Sequence, residues 1–502
     1  MPFARRWCIT FVLLVLAGGA WAIATPLFAS PDEPAHALRA WSVVHGEVLG
    51  HPVTDKNTPP LPLDGLVGVT KWGLAVDAPR AYADWGNVRC IAFNAGATAD
   101  CLHVSNDART TAALTYTRYF PLYYAVVGLP SLVTDPGAGQ LYLMRMMNVV
   151  MCAALLALAF AVSPIRPLAA AGLAVAITPM VLFLAASINP TGLEVAAAIA
   201  VWSAGAALLS AQPESPRRVL DVLGISATVL VASRPLSPIW LLVAGGVFAF
   251  IGGQSAIRSL WTSVRARIWL GVITGVTLVN VAWCLWKSTY ATKYYLGVPT
   301  LLSDTEFARQ AVGKNFRLLR EMIGLFGWLD TFVPSFTLVM WIAAIGAIIA
   351  LCITLAPPRW TLAVVGLIGL TLALPIASDF MLRSRVGFQW QGRYTLAIAT
   401  GIPVLAAFAV GFGEITSVKR RRLGWSLVVG LGVAQVLAFA QALRRYSVGA
   451  DGKLWFFTDP RWTPPVPGLV LVLVFTAAIF ALLALQLVDT LREPAPLAAP
   501  VP

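Results

Sequence analysis

The chain has 502 residues, of which 58% are hydrophobic and only 12% charged, with a mean hydropathy of +0.76 and a formal charge of +13. That balance excludes a water-soluble globular enzyme and describes an all-α, polytopic membrane protein whose main partner is the lipid bilayer. The excess of positive charge is not a nucleic-acid signature, because much of it lies in short connections such as Lys419-Arg420-Arg421-Arg422, where Lys and Arg set topology.

In chain order, apolar runs predict twelve spans: 7–28, 141–162, 168–187, 192–211, 218–233, 237–253, 268–288, 335–356, 360–378, 394–413, 425–443 and 467–488. The first run follows Arg5 and Arg6 but leads to no small-x-small cleavage site, so it reads as a membrane helix rather than a signal peptide. Segment 119–133 is also apolar, yet it is short and holds Pro121 and Pro130. Read as a juxtamembrane or re-entrant helix, it leaves Arg166, Arg217, Arg218, Arg258, Arg265, Arg267, Arg359 and 419–422 all in cytoplasmic connections. Counted as a span, it would move every one of them outside.

Twelve spans put both termini in the cytoplasm and leave the long segments 29–140, 289–334, 379–393 and 444–466 outside. Residues 1–490 read as one transmembrane domain, and 491–502 as a disordered Pro/Ala-rich tail. Of the 23 acidic residues, 18 fall on the outer side; the other five are Glu214, Asp221, Glu414, Asp489 and Glu493. All four histidines lie in the first outer loop. Cys8, Cys152, Cys284 and Cys352 sit in apolar runs, whereas Cys90 and Cys101 share a water-exposed loop where a disulfide can close. No CxxC pair or clustered His set indicates a metal.

Ser30-Pro31-Asp32-Glu33-Pro34-Ala35-His36 follows the first helix directly. The same residues suit a capped helix start, with acidic groups in the first turn. They also suit a carboxylate held rigidly at the membrane surface as a general base, Asp32 or Glu33, with His36 beside it. Tyr116-Thr117-Arg118-Tyr119-Phe120-Pro121-Leu122-Tyr123-Tyr124 is either an interfacial aromatic belt or a substrate platform using Arg118, Tyr123 and Tyr124. Ser187 to Glu194 is a helix start at Asn189-Pro190 whose free N–H groups suit a phosphate, with Glu194 in its first turn. Asp379, Arg383, Arg385, Gln389, Gln391, Arg393 and Tyr394 crowd one outer connection, and three arginines there call for an anionic partner. Arg234, in Ser233-Arg234-Pro235, is a weaker case of the same kind. Residues 304–326 alternate charge and apolar side chains at helical spacing, as an amphipathic interfacial helix does.

A helix, an acidic pair at its outer end, a large loop and an aromatic Pro-Leu-Tyr-Tyr segment together resemble the GT-C superfamily of membrane glycosyltransferases, which use polyprenyl-phosphate-linked sugars. More closely, Pro31-Asp32-Glu33-Pro34-Ala35-His36, Asn189-Pro190, Gly327-Trp328-Leu329-Asp330 and Gln391-Gly392-Arg393-Tyr394 resemble a bacterial family of predicted membrane proteins of unknown function with a PDEPAH motif. The resemblance implies a GT-C-like fold in the bacterial plasma membrane and a catalytic carboxylate at Asp32 or Glu33. Related enzymes carry a Lys- or His-Pro-Pro-Leu motif where this chain has Tyr119-Phe120-Pro121-Leu122, so Arg118 or Arg393 would stand in for the basic residue. The soluble C-terminal sugar-binding domain of several such enzymes has no counterpart here.

The expected function is inverting transfer of a sugar from a polyprenyl-phosphate donor to an envelope glycan, lipid or protein acceptor, with no cofactor and no metal. A flippase for lipid-linked saccharides would need polar residues through the midplane, where these spans carry few. A non-catalytic envelope-assembly protein is the third class.

Overall fold

A computed structural model describes residues 1–52, 74–83, 86–115, 117–164, 167–210, 215–289, 300, 302–410 and 417–491. Tyr116, Arg166, Glu214, Glu414 and the tail from 492 onward lie outside the described residues. The chain is a mostly helical membrane protein, as its composition requires.

Among the described residues, ten helices are long and apolar enough to cross a bilayer, or eleven if the bent pair Leu168–Ala176 and Pro179–Ala185 is one span. These cover eleven of the twelve expected runs. The remaining run forms the helix Pro216–Ser233, but Arg217, Arg218 and Asp221 break its apolar length. The run expected to end at 253 does break at Gly253, where φ is +64°, although helix resumes to Thr262.

Contacts across the chain define two ends. At one, Arg6 donates to the Ser163 carbonyl and to Gln486, and Arg218 lies over the Phe3 ring. At the other, Glu33, Arg145, Ile188 and Phe28 meet, and Trp328 donates to the Phe28 carbonyl. We call this second one the polar end. Between the ends, helices pack through small side chains: a Cβ on Gly172 would lie 2.4 Å from the Ala407 Cβ, so glycine permits the close approach. Trp21, fully buried, is ringed by Phe183, Phe326, Phe439 and Phe475 from four other segments. The helices Ser237–Thr262 and Val264–Trp286 lie at the periphery, and side chains such as Leu242 and Leu278 face outward, as a lipid solvent allows.

The polar end is not purely helical. Strands His51–Pro52, Leu74–Pro79 and Thr110–Thr115 form a small antiparallel sheet, with Leu74 opposite Thr115 and Pro79 opposite Thr110. The sheet is a small addition to a mostly helical chain. The sheet rests on the helix Glu33–Val44, where Thr115 Oγ1 donates to the Ala35 carbonyl. Segment 119–133 contains only the six-residue helix Leu122–Val127 and a 3₁₀ turn at Leu129–Leu132, far too short to span. Cys90 and Cys101 are joined in a disulfide. Arg445 anchors that loop by donating to the carbonyls of Ile91, Asn94 and Ala97, and it also reaches Asp330.

Candidate functional site

The polar end is built on a sharp corner between Phe3–Ala24 and Glu33–Val44. Phe28 and Asp32 both sit at φ +65°, a left-handed conformation that non-glycine residues hold only when surroundings enforce it. Glu33 supplies that enforcement. Its carboxylate accepts from Arg145 Nε at 2.7 Å and Nη2 at 2.6 Å, and from the Phe28 and Ile188 amides at 3.0 Å each. Arg145 spends its remaining protons on the carbonyls of Ala22, Thr25 and Pro26. Both side chains are buried, and every strong site on this carboxylate is filled. Glu33 therefore positions the corner and has no capacity left for a substrate proton.

Asp32 is differently placed. It precedes the helix but makes no capping hydrogen bond, so the capped-start reading does not describe its side chain. Its carboxylate is one-third exposed and meets Arg393 Nη2 at 2.6 Å. Arg393 is itself buried, and its Nε and Nη1 have no hydrogen-bond partner; neither has the buried Gln391 Oε1. Unpaired buried donors on a guanidinium are costly, and an anion is the chemistry that satisfies them.

The amphipathic helix Asp304–Gly324 holds the segment before Arg393 through Glu321 and, by way of Lys314, through Asp379 of the helix Pro358–Leu382. Glu321 accepts from the Gly392 amide at 2.7 Å and from Arg317 at 3.0 Å. Residue 392 must be glycine, because a Cβ there would lie 2.4 Å from the Leu318 carbonyl oxygen. Asp379 pairs with Lys314 at 2.9 Å and accepts from the Gln389 and Trp390 amides.

A second buried pair adjoins the first. Arg234 meets Glu194 at 2.8 Å, and Ser237 and Trp240 also donate to that carboxylate. The Arg234 guanidinium lies over the rings of Tyr394, at 5.2 Å, and Tyr119, at 5.9 Å. His36 Nδ1 is 2.9 Å from the Tyr124 hydroxyl, and its ring faces Tyr119. Burial pushes the His36 imidazole down to about 3, against the raising effect of Asp32 and with Arg234 and Arg393 lowering it further. It is a neutral hydrogen-bonding group at ordinary pH, not a cation. Tyr123 donates to Asn148, which in turn donates to the carbonyls of Ala185 and Ser187.

The structure thus gathers Asp32, Glu33, His36, Tyr123, Tyr124, Asn189, Glu194, Arg234, Gln391, Arg393 and Tyr394 at the polar end. Asn189 caps the helix Pro190–Leu208 through Thr191 N and donates to the Pro31 carbonyl. Ile188 N goes to Glu33, so these amides of the helix start are held by protein groups. Arg383 turns instead to Asp304, at 2.7 Å, and Arg385 is exposed. Neither is shown against the Asp32–Arg393 pair. The Arg118 carbonyl accepts from Trp283 and Thr289, tying its segment to the Val264–Trp286 helix. Sequence reasoning missed Arg145, although a charged residue inside the apolar run 141–162 was the available signal. It also passed over Tyr119 and Glu321, whose roles depend on distant partners.

No curated protein matches this chain, and no solved structure does. A family model described as a predicted membrane protein (DUF2142) matches residues 14–402, most of the chain including the Asp32–Arg393 pair, and the protein belongs to that family.

Proposed function

We propose that this protein is an integral-membrane inverting glycosyltransferase that uses a polyprenyl-phosphate sugar at the outer face of a bacterial plasma membrane. The observation that carries the reading is the Asp32–Arg393 pair: a partly exposed carboxylate beside a buried guanidinium with two unpartnered nitrogens. A donor phosphate would take those N–H groups, and its charge would compete with Asp32 for Arg393. Asp32, relieved of its cation, would accept the proton of an acceptor hydroxyl. The acceptor oxygen bonds to the anomeric carbon as the bond to phosphate oxygen breaks. The electron pair leaves on the lipid phosphate, where Arg393 and Arg234 offset the charge. The resemblance of the first helix, its acidic pair, the large loop and the Pro121-Leu122-Tyr123-Tyr124 segment to GT-C enzymes supports the same reading. The acceptor would be an envelope glycan, lipid or protein.

Purified protein incubated with radiolabelled polyprenyl-phosphate sugars and envelope extract tests it. Label should pass to an acceptor, and Arg393→Ala should weaken donor binding. Label that crosses the bilayer still attached to its lipid would instead support a flippase. For orientation, a cysteine at Leu454 should react with an impermeant thiol reagent in intact cells while one at Lys419 should not. The reverse pattern would move the site to the cytoplasmic face.

A further inference from the structure

The break Ser233-Arg234-Pro235 leaves a gap in the backbone ladder that a distant helix fills. In a regular helix the Val231 carbonyl accepts from the amide four residues on. Here that residue is Pro235, which has no N–H to give. Asn280 supplies the donor instead: its Nδ2 gives to the Val231 carbonyl at 2.6 Å and to the Arg234 carbonyl at 3.3 Å. Asn280 belongs to Val264–Trp286, a peripheral span whose neighbouring side chains Leu278 and Val279 face outward. The buried residues of that helix are Asn280 and Cys284, one turn apart. An amide placed in such a span is costly unless it has a polar task.

The end of the same helix grips the other side of the arginine. Trp283 Nε1 donates to the Arg118 carbonyl at 3.0 Å, Thr289 Oγ1 donates to the same oxygen at 3.2 Å, and the Trp283 ring meets Phe120 at 6.2 Å. Tyr119 lies between those two held residues, and its ring is 5.9 Å from the Arg234 guanidinium. Tyr394 takes the second contact, 5.2 Å from Arg234 and 5.3 Å from the guanidinium of Arg393, which meets Asp32. One peripheral helix therefore fixes both the backbone that carries Arg234 and the segment that carries Tyr119.

We propose that Asn280 is a positioning residue for the Asp32–Arg393 site: by completing the broken end of the helix Pro216–Ser233 it sets where Arg234 lies between Tyr119 and Tyr394. It touches no substrate and acts through Arg234. Its effect on sugar transfer rests on the glycosyltransferase reading, whereas its effect on Arg234 does not.

The test uses the full-length protein in detergent, labelled with ¹⁵N-arginine. The Arg234 side-chain Nε–Hε signal is identified by its loss in Arg234→Lys, and the two tyrosine rings should displace it from the ordinary arginine position. In Asn280→Leu it should move back towards that position while the protein still unfolds cooperatively. If Asn280→Leu fails to fold, Asn280→Ser, polar but too short to reach Val231, takes its place. An unmoved Arg234 signal overturns the proposal. In transfer assays the Asn280 variant should lower kcat about tenfold with the donor KM little changed. It should add no further loss once Arg234→Gln and Glu194→Gln have removed the pair it acts through. Additive losses would mark a merely structural role and overturn the proposal as well. A wild type that transfers no label defeats the transferase reading, and the Arg234 signal then decides this inference alone.

Discussion

Around Glu33, four N–H donors converge on one carboxylate and its arginine spends its other protons on backbone carbonyls, whereas the guanidinium that meets Asp32 keeps two nitrogens idle. These adjacent residues occupy opposite electrostatic situations. A saturated buried pair is expensive to break and has nothing to offer a ligand. An unsaturated one, with its carboxylate open to water, can change partners. The contrast separates scaffold from site more sharply than residue type could.

The test with the largest expected effect is on turnover. Asp32→Asn keeps the volume and makes no cap bond to lose, so transfer should fall by about 10²–10⁴-fold while the protein still folds. A fully active Asp32→Asn protein would erase the functional half of the comparison. Next, Glu33→Gln or Arg145→Met alone leaves one buried charge unpaired and should cost about 3–5 kcal/mol of stability, measured by unfolding in detergent. The double change Glu33→Leu with Arg145→Met should recover part of that loss. Wild-type stability in either single variant would show that the saturated corner is not scaffold. Replacing Cys90 and Cys101 by Ser should lower the stability of their loop by about 2–3 kcal/mol. Protease cleavage within 90–101 reports it, and Arg445 should limit the damage by holding three of the loop's carbonyls.

The last test is on pH dependence. His36 has a folded value of about 3 against an ordinary 6.5, so between those values the unfolded chain binds the extra proton. Stability from keeping it neutral is complete above pH 6.5 and is lost as pH falls towards 3, at up to about 1.4 kcal/mol per pH unit. His36→Gln should flatten this slope relative to wild type, and identical slopes would show that the Tyr124 pocket admits the charged ring.

Much of the frame was legible because the bilayer imposes it. Apolar runs had to become helices, since nothing else satisfies backbone groups in lipid. The shortness of 119–133 and the break at Gly253 followed from local residues. The sheet beside the corner was not legible: Leu74-Ala-Val-Asp-Ala-Pro79 has no clear alternation, and its pairing with Thr110–Thr115 closes over many residues. In the site, Asp32 and Arg393 were each recognisable as unusual charges, but their pairing across 361 positions was not.

By itself, then, the sequence determined the solvent, the helical class and the gathering of polar groups towards one end, because these depend on composition and on short-range periodicity. Tertiary structure alone decided that Glu33 is buried against Arg145, that Asn189 serves the backbone, that Arg383 turns to Asp304 and that Arg393 keeps two donors unpaired. Whether a charge is structural or available depends on how many partners reach it. Those partners come from helices far apart in the chain, brought together only by packing.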